Sequence, residues 1–367
     1  MAPRPLPPAP SPEWASVTEC IRTRYTRGGP FITRHILQRV AMQISLYQAG
    51  MLTSKPFILY DMNNHGVSVE IDPDKESPIF RDMRCNHGDR KKGPYIYYRS
   101  IQVMLSHRDM RKFDAEMAFL PLVIMFPATP GRCHNHHTHD ENKGPESFYP
   151  SELTTILNIE RQSWEESEEY GHLKAVLKTH TDQLSKIDRV IGFGCGTLAD
   201  GRTRCQFSAT QHALIFSLQR IISKMHPENN KVRQGLRQAC NKDPVELVVR
   251  GILQDPAYTD TDKAVLKGMG MEVMGDPCGF LEMDENSFVV SIDLNTPAQQ
   301  IIENLARPAA LIRMTHVEEF NGENAGMCTD PSSSRVDKML REEYDLVKLK
   351  YHPNLRNICM YIKKPRT

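Results

Sequence analysis

Three features of the sequence predict an α/β fold: a Rossmann-like, mainly parallel sheet with helices on both faces, preceded by an N-terminal α+β region. From Ile187 onward, short apolar runs alternate with helical segments. The first of these runs closes in a glycine-rich turn, GFGCG at 192–196. Acidic residues recur where the runs end, as in QDPAYTDTD and SIDLN. Strands separated by helices of this length form parallel sheets with right-handed crossovers, and such sheets bind ligands at the carboxyl ends of their strands.

The elements follow in order. MAPRPLPPAPSPEW is Pro-rich and lacks an apolar signal core, so residues 1–15 are expected to be a disordered lead. The N-terminal α+β region is expected over 16–128. In it FITRHILQRVAMQISLYQAG (31–50) has helical spacing and stops at Gly50. FILYDM (57–62) and LPLVIMFP (120–127) have the composition of strands, and YIYYRSIQVML (95–105) suits a strand or a helix. A polar loop over 129–150 contains GRCHNHHTHDENKG, with His134, His136, His137 and His139. Histidine-rich tracts do bind metals, but ligands crowded into one short polar segment lack the support of a built site. The expectation is an exposed loop with no catalytic metal. Residues 149–184 predict one or two helices with Ser151 as a cap.

The α/β domain is expected over 151–367, with its core at 185–315. Strands are expected around 190–194 and over 246–256, 271–276, 287–295 and 308–314. Helices are expected over 211–225, 259–270 and 297–306. The loops after Phe193, Leu253, Val273 and Ile292 then share one rim.

Gly192, Gly194 and Gly196 form GxGxG without the third glycine and nearby acid of a dinucleotide fingerprint. That form is nearer the loop of Rossmann-like methyltransferases. Two readings stay open: a ligand-facing loop, or glycines that let strand and helix pack closely. On the rim, Asp260 and Asp262 have the positions of helix-capping acids, and Asp284 and Glu285 fit a turn. Asp255 and Asp293 stand at strand ends. They are expected to face the cleft, with Glu282 and Asp284 closing over it as further catalytic candidates. Gly192, Gly194, Gly196 and Tyr258 are expected to line the substrate site. A rim of acids suits a guanidinium or amine.

With 46 Lys and Arg against 45 Asp and Glu, the net charge is +1, which gives no global drive toward nucleic acid. Local basic stretches remain, at Arg90, Lys91 and Lys92, around Arg111 and Lys112, and in KLKYHPNLR (348–356). Nine scattered cysteines without a CxxC pair suggest reduced thiols and a cytoplasmic setting. No apolar run approaches the length of a membrane span.

IDRVIGFGCGTL, the Gln-led helix QHALIFSLQRI, and the run from QDPAYTDTDKAVLKGMGMEVMGDPCGF to NLARPAALI together resemble the sensitivity-to-red-light-reduced-like domain in its fungal form, over roughly 185–315. The plant and animal Pro-His-Cys element is replaced here by SIDLNTP. The resemblance implies one of two roles: a regulatory protein, or an arginine-containing cyclodipeptide synthase that condenses arginyl-tRNA with a second aminoacyl-tRNA. The acidic DDxxE motif of that enzyme branch has no counterpart, the nearest clusters being TDTD and EMDEN. The synthase reading implies no cofactor and no metal, since aminoacyl esters are already activated. It assigns the tRNA phosphates to Arg90, Lys91, Lys92, Arg111 and Lys112. A methyltransferase with a nucleoside cofactor is the third reading.

Overall fold

A computed structural model describes residues 12–52, 56–69, 94–106, 115–125, 148–200, 203–225, 249–292, 294–315 and 330–365. The chain divides into two units: the described residues up to 125 belong to one, those from 148 onward to the other.

In the first unit, helices α1 (Pro12–Thr26) and α2 (Arg34–Gln48) accompany two antiparallel ribbons and a short helix, α3 (Ile101–Leu105). The ribbons pair β1 (Phe57–Tyr60) with β2 (Gly66–Val69), and β3 (Tyr95–Tyr98) with β4 (Leu122–Met125). This is the expected α+β region. Helix α1 starts inside the segment expected to be a disordered lead, which shortens that lead to 1–11 at most, and those residues lie outside the described ones. Thr33 caps α2 by accepting from the Ile36 N–H, and Gly50 adopts a φ of 72° just past its end, the left-handed conformation that closes helices. The ambiguous YIYYRSIQVML is both things in turn: strand β3, then α3 capped by Ser100.

In the second unit, α4 (Pro150–Glu166), α5 (Glu168–Thr179) and α6 (Thr181–Leu184) lead into the sheet. Ser151 does not cap α4. Pro150 takes its first turn instead, and the Glu152 carboxylate accepts from the Tyr149 N–H at 2.8 Å. Strand β5 (Arg189–Phe193) is followed by a small ribbon, β6 (Ala199–Asp200) with β7 (Thr203–Arg204), and by the long helix α7 (Gln206–Met225). Then come β8 (Arg250–Gln254), α8 (Asp260–Gly268), β9 (Glu272–Met274), α9 (Cys278–Leu281), β10 (Ser287–Ser291), α10 (Ala298–Leu305), β11 (Ala310–Met314), α11 (Ser334–Glu343), β12 (Tyr344–Lys348) and β13 (Ile358–Lys363).

The seven-stranded sheet has the order β12-β13-β11-β10-β5-β8-β9. Strands β9, β8, β5, β10 and β11 run parallel, and β13 is antiparallel to both its neighbours. All five expected strands are present. The two C-terminal strands, which the sequence reading left inside an unassigned extension, complete the sheet. Helices α7 and α8 connect strands that step one way along the sheet, and α10 and α11 strands that step the other way. Right-handed crossovers therefore place the two pairs on opposite faces. The central strands are buried on both faces, β10 as five consecutive buried residues. The order reverses between β5 and β10, so the crevice beyond their carboxyl ends is the switch point of the sheet.

The amino edge is an ion-pair network. Arg250 pairs with Glu272 (2.7 Å) and Glu282 (2.9 Å), and Arg189 with Asp188 (2.7 Å) and Asp284 (3.4 Å). This corrects the expected position of Glu282 and Asp284. The segment entering a parallel strand stands at the edge opposite the strand's carboxyl end, so both acids lie about 13 Å, the length of β5, from the glycine loop. Asp284 accepts from the Asn286 N–H and the Ser287 hydroxyl, the work of a turn acid.

Glu282→Ala and Asp284→Ala are each expected to lower stability by about 1 kcal/mol or less in urea unfolding, because their pairs are partly solvent-exposed. A loss above about 3 kcal/mol would mean that this edge is a keystone of the fold.

Candidate functional site

The chain leaves β5 through two left-handed glycines, Gly194 (φ 63°) and Gly196 (φ 75°). A Cβ at Gly194 would approach Leu294 Cγ to 2.3 Å, and one at Gly192 would meet Ile215 Cδ1 at 2.3 Å. Gly192 is thus a packing glycine, while Gly194 and Gly196 are needed for the turn. The loop remains tied to its neighbour strand, since the Gly194 N–H donates to the Gln254 carbonyl at 3.1 Å.

Two carboxylates from the next β–α unit hold this loop. Asp255, just past β8, accepts from the Gly196 N–H at 2.6 Å and from the Ala257 N–H at 2.7 Å. Asp262, completely buried in the first turn of α8, accepts from the Thr197 hydroxyl (2.8 Å) and the Leu198 N–H (3.0 Å). It also caps its own helix by accepting from the Thr259 N–H at 2.8 Å. Asp262 is therefore the capping acid its sequence position suggests. Asp260 is exposed and pairs with Lys263 at 2.7 Å.

Beneath the loop runs a buried polar chain. His212 Nδ1 is 2.7 Å from the Ser208 carbonyl, so it carries the proton and donates. Nε2 must then accept, and the Tyr258 hydroxyl donates to it at 2.8 Å. The Cys195 thiol meets the same hydroxyl. The Ser208 hydroxyl returns to the loop by donating to the Gly196 carbonyl at 2.8 Å. Burial pushes the Cys195 thiol and the Tyr258 phenol well above their usual ranges and lowers His212 to about 4. All three are neutral near pH 7. Tyr258, expected to line the substrate site, is 1% exposed and props the loop from below. The reason is its position: it directly precedes the α8 cap, and its ring turns inward toward α7.

On the opposite face, Phe193 stacks on Phe280 at a centroid distance of 4.3 Å. Gln254 accepts from the Gly279 N–H (2.6 Å) and donates to Asp276 (2.9 Å). The carboxyl rim thus brings together Gly194, Gly196, Asp255 and Asp276. Asp293 follows β10 at this rim in the chain but lies outside the described residues. So do Arg90, Lys91, Lys92, Arg111, Lys112 and the histidine tract. KLKYHPNLR packs against the start of α7, where Asn354 donates to the Thr210 hydroxyl at 3.0 Å. Sequence reasoning missed His212 and Gln254: His212 is one of several polar residues in its helix, and Gln254 closes a short strand, so neither stood out. Among the described residues no three His, Cys, Asp or Glu are grouped to hold a metal ion, and no helix is long and apolar enough to cross a membrane.

The SRR1 domain matches residues 173–361, just over half of the chain. The chain belongs to the SRR1 domain family. The SRR1 domain here takes in the whole sheet up to Tyr361, including the two C-terminal strands. No curated protein matches the chain. Among solved structures, the N-methyltransferase NodS from Bradyrhizobium japonicum WM9 is similar with a TM-score of 0.28 and 9% identity, covering 55% of this chain and 99% of that one. The pyocyanin biosynthetic protein PhzM gives 0.26 and 11%, covering 51% and 53%.

Gly194→Ala combines a left-handed φ with the clash on Leu294. It is expected to cost about 2–4 kcal/mol in chemical unfolding. His212 supplies a pH test. Its folded pKa is depressed, so its contribution is intact above about 6.5, the unfolded value, and is lost as pH falls toward 4. His212→Asn cannot titrate. Its stability deficit against the wild type should shrink by about 3 kcal/mol between pH 7.5 and 4. A deficit independent of pH would mean that the fold leaves the proton affinity of the imidazole unchanged, against its burial as a neutral ring.

Proposed function

We propose that this SRR1-domain protein is an aminoacyl-tRNA-dependent cyclodipeptide synthase with arginine as one substrate, working at the switch point between β5 and β10. The observation that carries this reading is the Asp255 carboxylate, fixed at the carboxyl end of the second parallel strand against the glycine loop of the first. In open α/β sheets, this position meets the ribose of a bound nucleoside. The reactive end of an aminoacyl-tRNA is an adenosine with the amino acid esterified to its ribose. The same site therefore suits the substrate end without any separate cofactor.

The chemistry requires little beyond positioning. The α-amine of one aminoacyl group attacks the ester carbonyl of the other, forming a peptide bond and releasing the ribose hydroxyl of one tRNA. The free amine of the dipeptidyl ester then attacks its own ester carbonyl, closing the diketopiperazine and releasing the second tRNA. Each attack needs a proton acceptor near the amine and two esters held close. Asp255 has the charge and the position for the first task, and Asp293 joins it by its place after β10. His212 and Cys195 are excluded from base and nucleophile roles by burial. The guanidinium of arginine is assigned to Asp276 and its acidic neighbours on the rim. The tRNA phosphates are assigned to Arg90, Lys91, Lys92, Arg111 and Lys112.

A second reading uses the same geometry. The glycine loop with an acid at the end of the next strand also suits a nucleoside cofactor such as S-adenosylmethionine, for a methyltransferase. One experiment separates them. Purified full-length protein is incubated with arginyl-tRNA and mixed aminoacyl-tRNAs, products are analysed by mass spectrometry, and S-adenosylmethionine is titrated in parallel. Arginine-containing diketopiperazines are expected, and Asp255→Asn, assayed below its own melting temperature, should lose about thirty-fold or more of the product. Saturable S-adenosylmethionine binding with no product favours the methyltransferase. Neither result leaves the regulatory role of a non-catalytic SRR1-domain protein. A folded Asp255→Asn variant with full yield removes Asp255 from the mechanism.

A further inference from the structure

The tip of the β12–β13 hairpin reaches the same carboxyl rim from the edge of the sheet. Met314, the last residue of β11, pairs with Ile358, the first of β13, so residues 349–357 project beyond the carboxyl ends of the parallel strands. Leu355 is buried and anchors the tip, and the Trp164 ring packs edge-on against His352. Asn354 donates to Thr210, and the Arg356 guanidinium lies over the Phe207 ring, 5.8 Å from its centroid. Phe207 directly precedes Ser208, whose hydroxyl donates to the Gly196 carbonyl. The N–H of that same glycine donates to Asp255. The hairpin tip, the start of α7 and the glycine loop thus form one continuous wall.

Three features of this wall point to a ligand. Phe207 and Tyr351 leave their rings in solvent, 47% and 59% exposed. Arg356 has a φ of 58°, a left-handed conformation uncommon outside glycine. Its N–H donates to the His352 carbonyl at 2.7 Å, closing a turn that a glycine would complete without strain. Arginine at this place keeps a guanidinium above the exposed Phe207 ring. Third, LVKLKYHPNLRN (346–357) contains Lys348, Lys350 and Arg356 and no acid. Neighbouring helices do bring acids to the tip. Glu160 accepts from the Thr210 hydroxyl, and Glu168 pairs with Lys350 at 2.8 Å. Both members of the second pair are exposed, so it contributes little and a phosphate can replace it.

We propose that Phe207 and Arg356 form a stacking platform for a base in the unpaired 3′ end of an RNA, with the exposed Lys348 and Lys350 taking its phosphates. The inference rests on the aminoacyl-tRNA reading, in which the terminal ribose meets Asp255, and it names the surface over which the preceding nucleotides leave the crevice. An exposed aromatic ring stacks on a base only where that base is free of its own helix, which selects a single-stranded end. The guanidinium adds a cation–π contact to the same platform.

The test uses full-length protein and two fluorescent probes, a short RNA stem-loop with an unpaired 3′ end and the same stem-loop cut blunt, followed by anisotropy at fixed salt. The unpaired end should bind more tightly than the blunt one. Phe207→Ala should weaken it about five- to a hundred-fold, while Phe207→Tyr keeps a ring and should retain binding. Arg356→Gly removes the guanidinium and relieves the left-handed backbone, so its melting temperature should hold or rise while binding falls about two- to thirty-fold. Changing Lys348 and Lys350 together to Gln should flatten the salt dependence. The platform is refuted if neither probe binds, if both bind equally, or if Phe207→Ala and Arg356→Gly bind as the wild type does. Diketopiperazine formation, assayed on the same proteins, separates the two readings. Product at full yield from variants with unchanged RNA binding overturns the platform and leaves the synthase. Binding of the unpaired end that depends on Phe207 and Arg356, without product, supports the platform and overturns the synthase.

Discussion

The bond from the Gly196 N–H to the Asp255 carboxylate is the contact on which the carboxyl rim depends. A loop leaving a parallel strand has no ladder to continue and no helix yet to join, so its amides need partners from elsewhere. Here they come from the following β–α unit. Asp255 takes Gly196 from the end of β8, and Asp262 takes Thr197 and Leu198 from the first turn of α8. Two adjacent crossover units are thereby locked together at the point where the strand order reverses. The Cys195–Tyr258–His212 chain stiffens the same loop from underneath with neutral groups, and the charge beside them is the buried Asp262 carboxylate that also holds the loop.

The two edges of the sheet divide the labour. At the amino edge, acids and arginines face each other in pairs and consume their own charge, as Arg250 does with Glu272 and Glu282. At the carboxyl edge the polar groups are less self-contained. Gln254, Ser291 and Arg313 stand in one row across the sheet, linked through Phe193 by strand register. Gln254 spends both ends of its amide on the α9 turn. Ser291 and Arg313 face a cavity. Ser287 is buried at the amino edge too, but its hydroxyl donates to Asp284, whereas the Ser291 hydroxyl has no partner among the described residues.

Much of this architecture was legible in the sequence because it follows from periodicity. The alternation after Ile187 gave five strands and their helices, and Gly194 and Gly196 gave the turn, since few other residues tolerate those φ values. Glu282 and Asp284 were misplaced for a topological reason. Proximity to a strand in sequence does not say which end of the strand is meant, and residues entering β10 stand at the wrong edge for the cleft. The last two strands escaped notice because β12 is half exposed and β13 is a short run of five apolar residues beyond a polar stretch. The buried partnership of Tyr258 and His212, 46 residues apart in sequence, has no local signature. Nor does the pairing of Ser291 with Arg313, which exists only once β10 and β11 lie side by side.

These constraints also limit the chemistry. A base or nucleophile must be chargeable at the pH of work, and desolvation has removed that property from Cys195, Tyr258 and His212. What the described rim retains is fixed carboxylate charge, oriented amides and a rigid frame. Such a site can align reactants, hold a cation or a ribose, and accept a proton from an amine. In both proposed reactions the substrate arrives already activated, as an ester or a sulfonium, so the rim would be asked only for position and charge.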